Sequence, residues 1–468
     1  MSLALKSRLT KIARIAGKFA LGLMAFVVLI VLACVILNSF DAPLSNQAKA
    51  LLASHPNPYA SDENIYLAMA GLEGAGERPI TEMGQERIAA YNQGLDSMLL
   101  NPETASKVNS KWDSAKLAFV GKLELGPQRT ASIWTDVKSH HHDIAALLAS
   151  NQLLYQRYLS LHRLRDYYET ARPSYLAPLV FVPQPLRILY LSDVATRIQS
   201  GTSQQQRDAL DDIRQDLQMW RTVLKGEGTL LSKMLAAASL HADLILVAEL
   251  IADPNSDLAR LNDVLDPILL PFDLKDYRIG SAFPAEFRGI AALYKTITLA
   301  NSFAASSWRN KMSNAFQAHF FKLNASENMS AAQAARWTAL ADSEPSLFYR
   351  NRDANRDWVK ENEPHLSLSI LYNPIGKILL AIATPQNDAY PLRVYDVAAY
   401  QRLVYLVFQL RRQHIQTADV ASFLPAHPEW STHPVDGKPF HWNAETGEFA
   451  VNTLGEHSKA QRFSVILR

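Results

Sequence analysis

One stretch of the chain has a pattern that no other repeats: Phe19 to Leu37, FALGLMAFVVLIVLACVIL, runs for nineteen residues without a charge. Coiled at 1.5 Å per residue it spans roughly 28 Å, the thickness of a bilayer's hydrocarbon core. The pattern predicts a membrane anchor over 19–39, with Phe19, Leu29 and Leu37 facing lipid. Lys6, Arg8, Lys11, Arg14 and Lys18 precede it, and the first acidic residue is Asp41. Cations flanking a first apolar segment stay in the cytoplasm, which puts the 1–18 tail inside and the rest of the chain outside, in the periplasm of a Gram-negative cell. The same five side chains suit contact with anionic lipid head groups. A cleaved signal peptide has an apolar core of roughly 7 to 15 residues and a small-x-small site, and Leu37-Asn38-Ser39 fits such a site poorly. Val31-Leu32-Ala33-Cys34 loosely resembles a lipobox, but apolar residues continue past Cys34.

After a linker over 40–61, interrupted by Pro43, Pro56 and Pro58, the period turns helical over 62–422. Apolar positions predict helices from Asp62 to about Gly74 and over about 81–99, then an extended arm or strand from Lys116 to Gly126. A long helix is predicted from about Arg129 to Ala171. Leu210, Ile213, Leu217, Trp220 and Leu224 recur at three- and four-residue steps, the stripe of an amphipathic helix over 203–225. Thr229 to Ala252 is apolar on most sides and predicts a central helix. Further helices are predicted over 281–322, 331–342 and 394–414, with a polar linker, NRDANRDWVKENEP, between the last two. From 423 to 468 the composition shifts: two short strands flank the Ala444-Glu445-Thr446-Gly447 turn and a third runs from Arg462 to Leu467. The fold class expected is mostly α: a transmembrane helix, a multi-helix periplasmic bundle and a small antiparallel β element.

Charge narrows the partners. The chain carries 47 Lys+Arg and 45 Asp+Glu, and without the tail's five cations the remainder is net −3. That balance excludes nucleic acid, which needs a clustered cationic excess. Cys34 is the only cysteine, so neither a disulfide framework nor a thiolate metal site is available.

The Asn64-Ile65-Tyr66 helix start, the Asn373-Pro374-Ile375-Gly376 segment and the C-terminal unit together resemble uncharacterised bacterial single-pass inner-membrane proteins with a helical periplasmic domain. Tyr400–Arg412, Phe423-Leu424-Pro425 and Asp436-Gly437-Lys438-Pro439-Phe440 resemble the hairpin unit that ends pseudopilins, over about 65 residues. The prepilin cleavage signature is missing, and roughly 350 residues separate anchor from hairpin. The wider resemblance implies no known enzyme activity.

Candidate chemistry is sparse. No G-x-S-x-G, Walker, G-x-G-x-x-G or H-E-x-x-H motif occurs. His241 and Glu249 lie on the stripe of the 229–252 helix, either as an active-site couple or as satisfied internal polar groups. His427, His433 and His441, with Glu429 and Asp436, form a loop cluster of metal-ligand type. His140-His141-His142 cannot converge on one ion, because adjacent helical side chains point about 100° apart. Asp353-x-Asn355-x-Asp357 starts a calcium loop but has Trp358 where Gly is needed and Pro364 where Glu is needed. No cofactor is implied. The pattern points to a non-catalytic envelope scaffold that contacts lipid through 19–37 and a protein partner through its body. The alternatives are a hydrolase of peptidoglycan or lipid and a helical lipid-binding protein.

Overall fold

The computed structural model describes residues 3–53, 60–100, 116–122, 132–270, 273–302, 315, 318–362, 368–383, 389–455 and 462–467, with the side chains of 3–16, 100, 259–260, 299–302, 355, 359–360, 362, 368 and 383 excluded. In chain order the helices are α1 (Leu3–Leu37), α2 (Asn46–Leu52), α3 (Ile65–Gly71), α4 (Ile80–Leu100), α5 (Ile133–Asp136), α6 (His141–Ser150), α7 (Gln152–Leu161), α8 (Gln184–Ser200), α9 (Ser203–Lys225), α10 (Leu230–Ala252) and α11 (Leu258–Leu269). They continue as α12 (Ala282–Ser302), α13 (Leu323–Ala341), α14 (Pro345–Asn362), α15 (Pro374–Ala383), α16 (Ala389–Arg412), α17 (Val420–Ala426) and α18 (Pro428–Ser431), before β1 (His441–Asn443), β2 (Glu448–Asn452) and β3 (Arg462–Ile466). The mostly helical class with one N-terminal apolar helix and a small antiparallel sheet is the one the sequence predicts.

Two compact units emerge, and neither is a continuous stretch. One comprises 1–53, 290–333 and 357–385; the other comprises 54–289, 334–356 and 386–468. In the first, the end of α1 is knitted to distant chain by side-chain amides. Asn38, fully buried, donates through Nδ2 to the carbonyls of Cys34 (2.7 Å) and Leu371 (2.6 Å), and its Oδ1 accepts from the Asn373 amide (2.8 Å). Asn373 takes a left-handed φ of 52°. Its side chain accepts from Lys322 N (2.8 Å) and donates to Ser326 Oγ (2.9 Å). The Asp41 carboxylate accepts from the amides of Asn324 (2.9 Å) and Ala325 (3.1 Å), satisfying donors at the start of α13. Ser45 caps α2, a helix inside the stretch read from sequence as a linker.

The second unit is built around α16, buried almost continuously from Ala389 to Leu410 and packed on α10, α11 and the sheet. α9 buries the predicted stripe and starts with a Thr202/Gln205 capping box. α3 and α4 cross so closely that a Cβ on Gly71 would strike the Ile80 carbonyl and one on Gly84 the Leu67 carbonyl. The sheet has order β1-β2-β3, with Asn443 opposite Glu448 across the expected turn and Phe449 opposite Val465. Gly447 closes that turn at φ 66°.

Two expectations are corrected. The long helix predicted from Arg129 to Ala171 is α5, α6 and α7 with irregular chain beyond, its first three residues lying outside the described ones. Asn151 breaks it because its amide is used on the extended arm, accepting from Val120 N (2.8 Å) and donating to Val120 O (2.9 Å). Residues 166–168 bridge to Asn64 and Glu227 rather than coil. The polar linker, whose last two residues lie outside the described ones, is instead the body of α14, a helix with a polar surface whose buried Phe348 packs edge-on against Tyr395 (6.2 Å).

Candidate functional site

α10 is apolar nearly all round because three faces are in use. Two pack on α9 and α16, and the third, carrying His241, Ile245, Ala248, Glu249 and Ala252, lines a cavity of about 730 Å³. The other walls are the start of α5 (Ser132, Trp134, Thr135), Tyr400 of α16 and the whole of β3. The two sequence candidates therefore open on one cavity. They are eight residues apart, about 12 Å along the helix, which is too far for a hydrogen-bonded couple. Glu249 accepts from the Trp134 amide (3.3 Å) and from the Ser132 side chain, so its carboxylate serves the N-terminal end of α5. Burial raises its pKa, with those hydrogen bonds opposing. Asp253 takes the Trp134 indole N–H (2.9 Å). The His241 ring sits between Tyr400 (centroids 4.8 Å) and Phe463 (4.3 Å).

A second, sealed cluster escaped the sequence reading. Arg187 (8% exposed) spans the fully buried Asp216 and Asp243, donating to Asp216 Oδ2 and Asp243 Oδ1, to the Tyr158 hydroxyl (2.6 Å) and to Ser239 O (3.1 Å). Asp216 Oδ1 also accepts from Tyr158 (2.5 Å) and lies 2.8 Å from His162 Nε2. Burial alone would raise both carboxyls. At Asp216, Arg187 and the His162 hydrogen bond outweigh it and hold the pKa well below the carboxylate range. At Asp243 burial wins over Arg187, aided by the neighbouring Asp216 charge, and the pKa lies well above that range. Arg187 thus faces two unlike carboxyls, Asp216 held toward its ionised form and Asp243 toward its neutral one. The cavity that Arg187 lines is about 40 Å³, room for about one water and no substrate.

Lys233, also fully buried, donates to the carbonyls of Val223 (3.0 Å) and Gly226 beyond α9, and burial pushes its pKa down to about 7. It is a helix cap, and no stretch of local sequence marks it.

The C-terminal histidines are separate. His427 stacks on Trp430 (4.6 Å, 4°) with Nδ1 3.3 Å from Glu429. His433 is buried, its Nδ1 accepting from the Val435 amide (3.1 Å), and burial lowers its pKa against the pull of Asp436. His441 opens β1, exposed. Among the described residues no group of three or more His, Cys, Asp or Glu is disposed to hold a metal ion. Trp430 rests against Tyr405 of α16 (5.8 Å) and Trp442 against Phe449 (4.4 Å), so both aromatics help fill the space around the sheet.

Phe19, Leu29 and Leu37 are exposed along α1, at 75%, 63% and 47%. The span Gly17–Leu37 is long and apolar enough to cross a membrane and is uncovered by protein; Leu230–Ala252 passes the same test but is largely buried. Lys18 is exposed beside it, whereas the side chains of Lys6, Arg8, Lys11 and Arg14 lie outside the described residues. No family model, curated protein or solved structure matches this chain.

Proposed function

We propose that this is an inner-membrane protein, held by α1 with its N-terminus in the cytoplasm, whose helical body works in the periplasm by binding rather than by catalysis. Its ligand is a small, mainly apolar molecule held in the cavity between α10 and β3. The observation that carries this reading is the cavity lining: Ile245, Ala248, Ala252, Tyr400, Phe463 and Val465 supply apolar surface. The acidic groups there are already committed, Glu249 and Asp253 to the start of α5. A hydrolase would need an acid or base free to reach substrate and a partner within hydrogen-bond range. The ring of His241, packed by Tyr400 and Phe463, adds to the aromatic wall of the cavity.

Retention of α1, as against its removal as a signal sequence, is supported by Asn38 and Cys34. Both make side-chain hydrogen bonds to Leu371 inside the folded unit (2.6 and 3.3 Å); cleavage after Asn38 would discard that junction, and cleavage between the two would remove the Cys34 bond.

The test is mass spectrometry of extracts from the full chain purified in mild detergent, beside an Ala252→Trp variant that fills the cavity. A stoichiometric small molecule present with the native chain and missing from the variant is expected. Equal recovery from both, or none from either, refutes the cavity as a binding site. Alkaline phosphatase fused after residue 467 tests the topology: activity is expected, and inactivity refutes the periplasmic assignment.

A further inference from the structure

α15 is an apolar helix that, among the described residues, leaves one face open. Its ten residues, PIGKILLAIA, include one charge, Lys377, whose Nζ is turned back to the Ser369 carbonyl. Yet only Gly376 is buried among its described side chains. Ile378 and Ile382, four residues apart and so on one face, are 47% and 70% exposed. A soluble surface rarely leaves a helix of this composition open to water.

Its position relative to α1 is set by hydrogen bonds within one unit. The Leu371 carbonyl accepts from both Cys34 Sγ (3.3 Å) and Asn38 Nδ2 (2.6 Å), and the Asn373 amide donates to Asn38 Oδ1 (2.8 Å). Cys34 lies three residues, about 4.5 Å along the helix, inside the end of the apolar run at Leu37. The chain that enters α15 is therefore level with the last turn of α1, and Asn373, at φ 52°, turns it into the new helix. Two aromatics mark the same level. Phe40 is 75% exposed, and the Tyr372 hydroxyl accepts from the Ala42 amide (3.0 Å). Rings with a polar attachment, as Tyr372 has, collect where hydrocarbon meets head groups, and Phe40 adds exposed apolar surface beside it.

We infer that α15 lies in the interface of the same bilayer that α1 enters, its Ile378/Ile382 face against lipid, so that the protein meets the membrane through two elements. This rests on α1 being retained as the span. The occupant of the open face is lipid because the face starts from the edge of the anchor's own apolar run. A short helix of this type adds apolar burial to a fixed anchor and restrains the first unit against the membrane plane.

The experiment uses the full chain in phosphatidylethanolamine/phosphatidylglycerol vesicles, on a Cys34→Ser background that keeps a donor toward Leu371. Single cysteines at Ile382, Ile378 or Leu29 carry an environment-sensitive dye, read with nitroxide-labelled lipid and aqueous iodide as quenchers. The expected result is blue-shifted emission quenched by nitroxide lipid and protected from iodide at all three positions. If the Leu29 dye behaves so while Ile382 and Ile378 are quenched by iodide, the α15 inference is overturned and the anchor stands. If Leu29 is itself quenched by iodide, the anchor reading falls, and this inference with it.

Discussion

Replacing Asp216 with Asn and, separately, Asp243 with Asn distinguishes which of two buried carboxyls carries charge. Arg187 contacts both, but the geometry assigns the negative charge to Asp216, which also takes Tyr158 and His162, and a proton to Asp243. Asp216→Asn removes the carboxylate that also takes Tyr158 and His162 and leaves Arg187 only Asp243, whose burial opposes ionisation, a loss of about 3–5 kcal/mol. For a unit of this size, at about 2 °C per kcal/mol, that is a fall in Tm of roughly 6–10 °C. Asp243→Asn mimics the neutral acid in shape and charge, and its cost is under about 1 kcal/mol. The assay is thermal unfolding of the full chain in detergent, followed by Trp fluorescence, since Trp220 lies 5.6 Å from the Arg187 guanidinium. The pH dependence runs in opposite senses. Asp216, with a depressed native pKa, stabilises fully above its unfolded value near 3.9 and loses that contribution as pH falls through the native one. Asp243, with a raised native pKa, contributes fully below about 3.9 and loses that contribution as pH rises through its native value. The deficit of Asp216→Asn therefore holds down to about pH 4 and shrinks only below it, while Asp243→Asn gains on the native chain as pH rises. Equal losses from the two variants at pH 7 would refute the assignment.

Asn373→Ala removes three hydrogen bonds, to Lys322, Ser326 and Gly376, and places a Cβ residue without a side-chain compensation at φ 52°, so a loss of about 2–4 kcal/mol is expected, read as faster limited proteolysis within 318–383. Gly84→Ala pushes α3 from α4 and is expected to cost about 1–3 kcal/mol, seen as a lower Tm. Lys233→Met removes a group whose native pKa is depressed to about 7. The native contribution is full above about 10.4 and declines as pH falls through 7, so the native chain's advantage over the variant should be larger at pH 9 than at pH 6 in paired thermal scans.

Local pattern was enough for those elements whose burial is one-sided or complete. The α9 stripe, the all-round apolar α10 and the β1–β2 turn each carry their environment in adjacent residues. α14 was illegible for the opposite reason, since one buried Phe348 among polar neighbours leaves almost no period. The breaks among α5, α6 and α7 come from Asn151 serving Val120, a contact 31 residues away that no local window contains. Of the site, His241 and Glu249 could be read because an apolar helix makes polar residues conspicuous. Their separate duties depend on Trp134, Tyr400 and Phe463, which arrive from three other elements. Arg187, Asp216 and Asp243 look like ordinary helix charges in sequence, and only the pairing of α8, α9 and α10 shows that they are buried.

The junction at the end of α1 also has a schedule. Asn38 and Asn373 are 335 residues apart. At a synthesis rate of about 5–20 residues per second, roughly 17–67 s pass between the appearance of one and the other. Through that interval α1 is made but its polar end has no partner, and Asp41 waits nearly as long for the start of α13. The unit that holds α1 can close only on chains extended to about residue 385. A product truncated anywhere earlier keeps α1 with Asn38 and Asp41 lacking the hydrogen-bond partners they find in the finished chain.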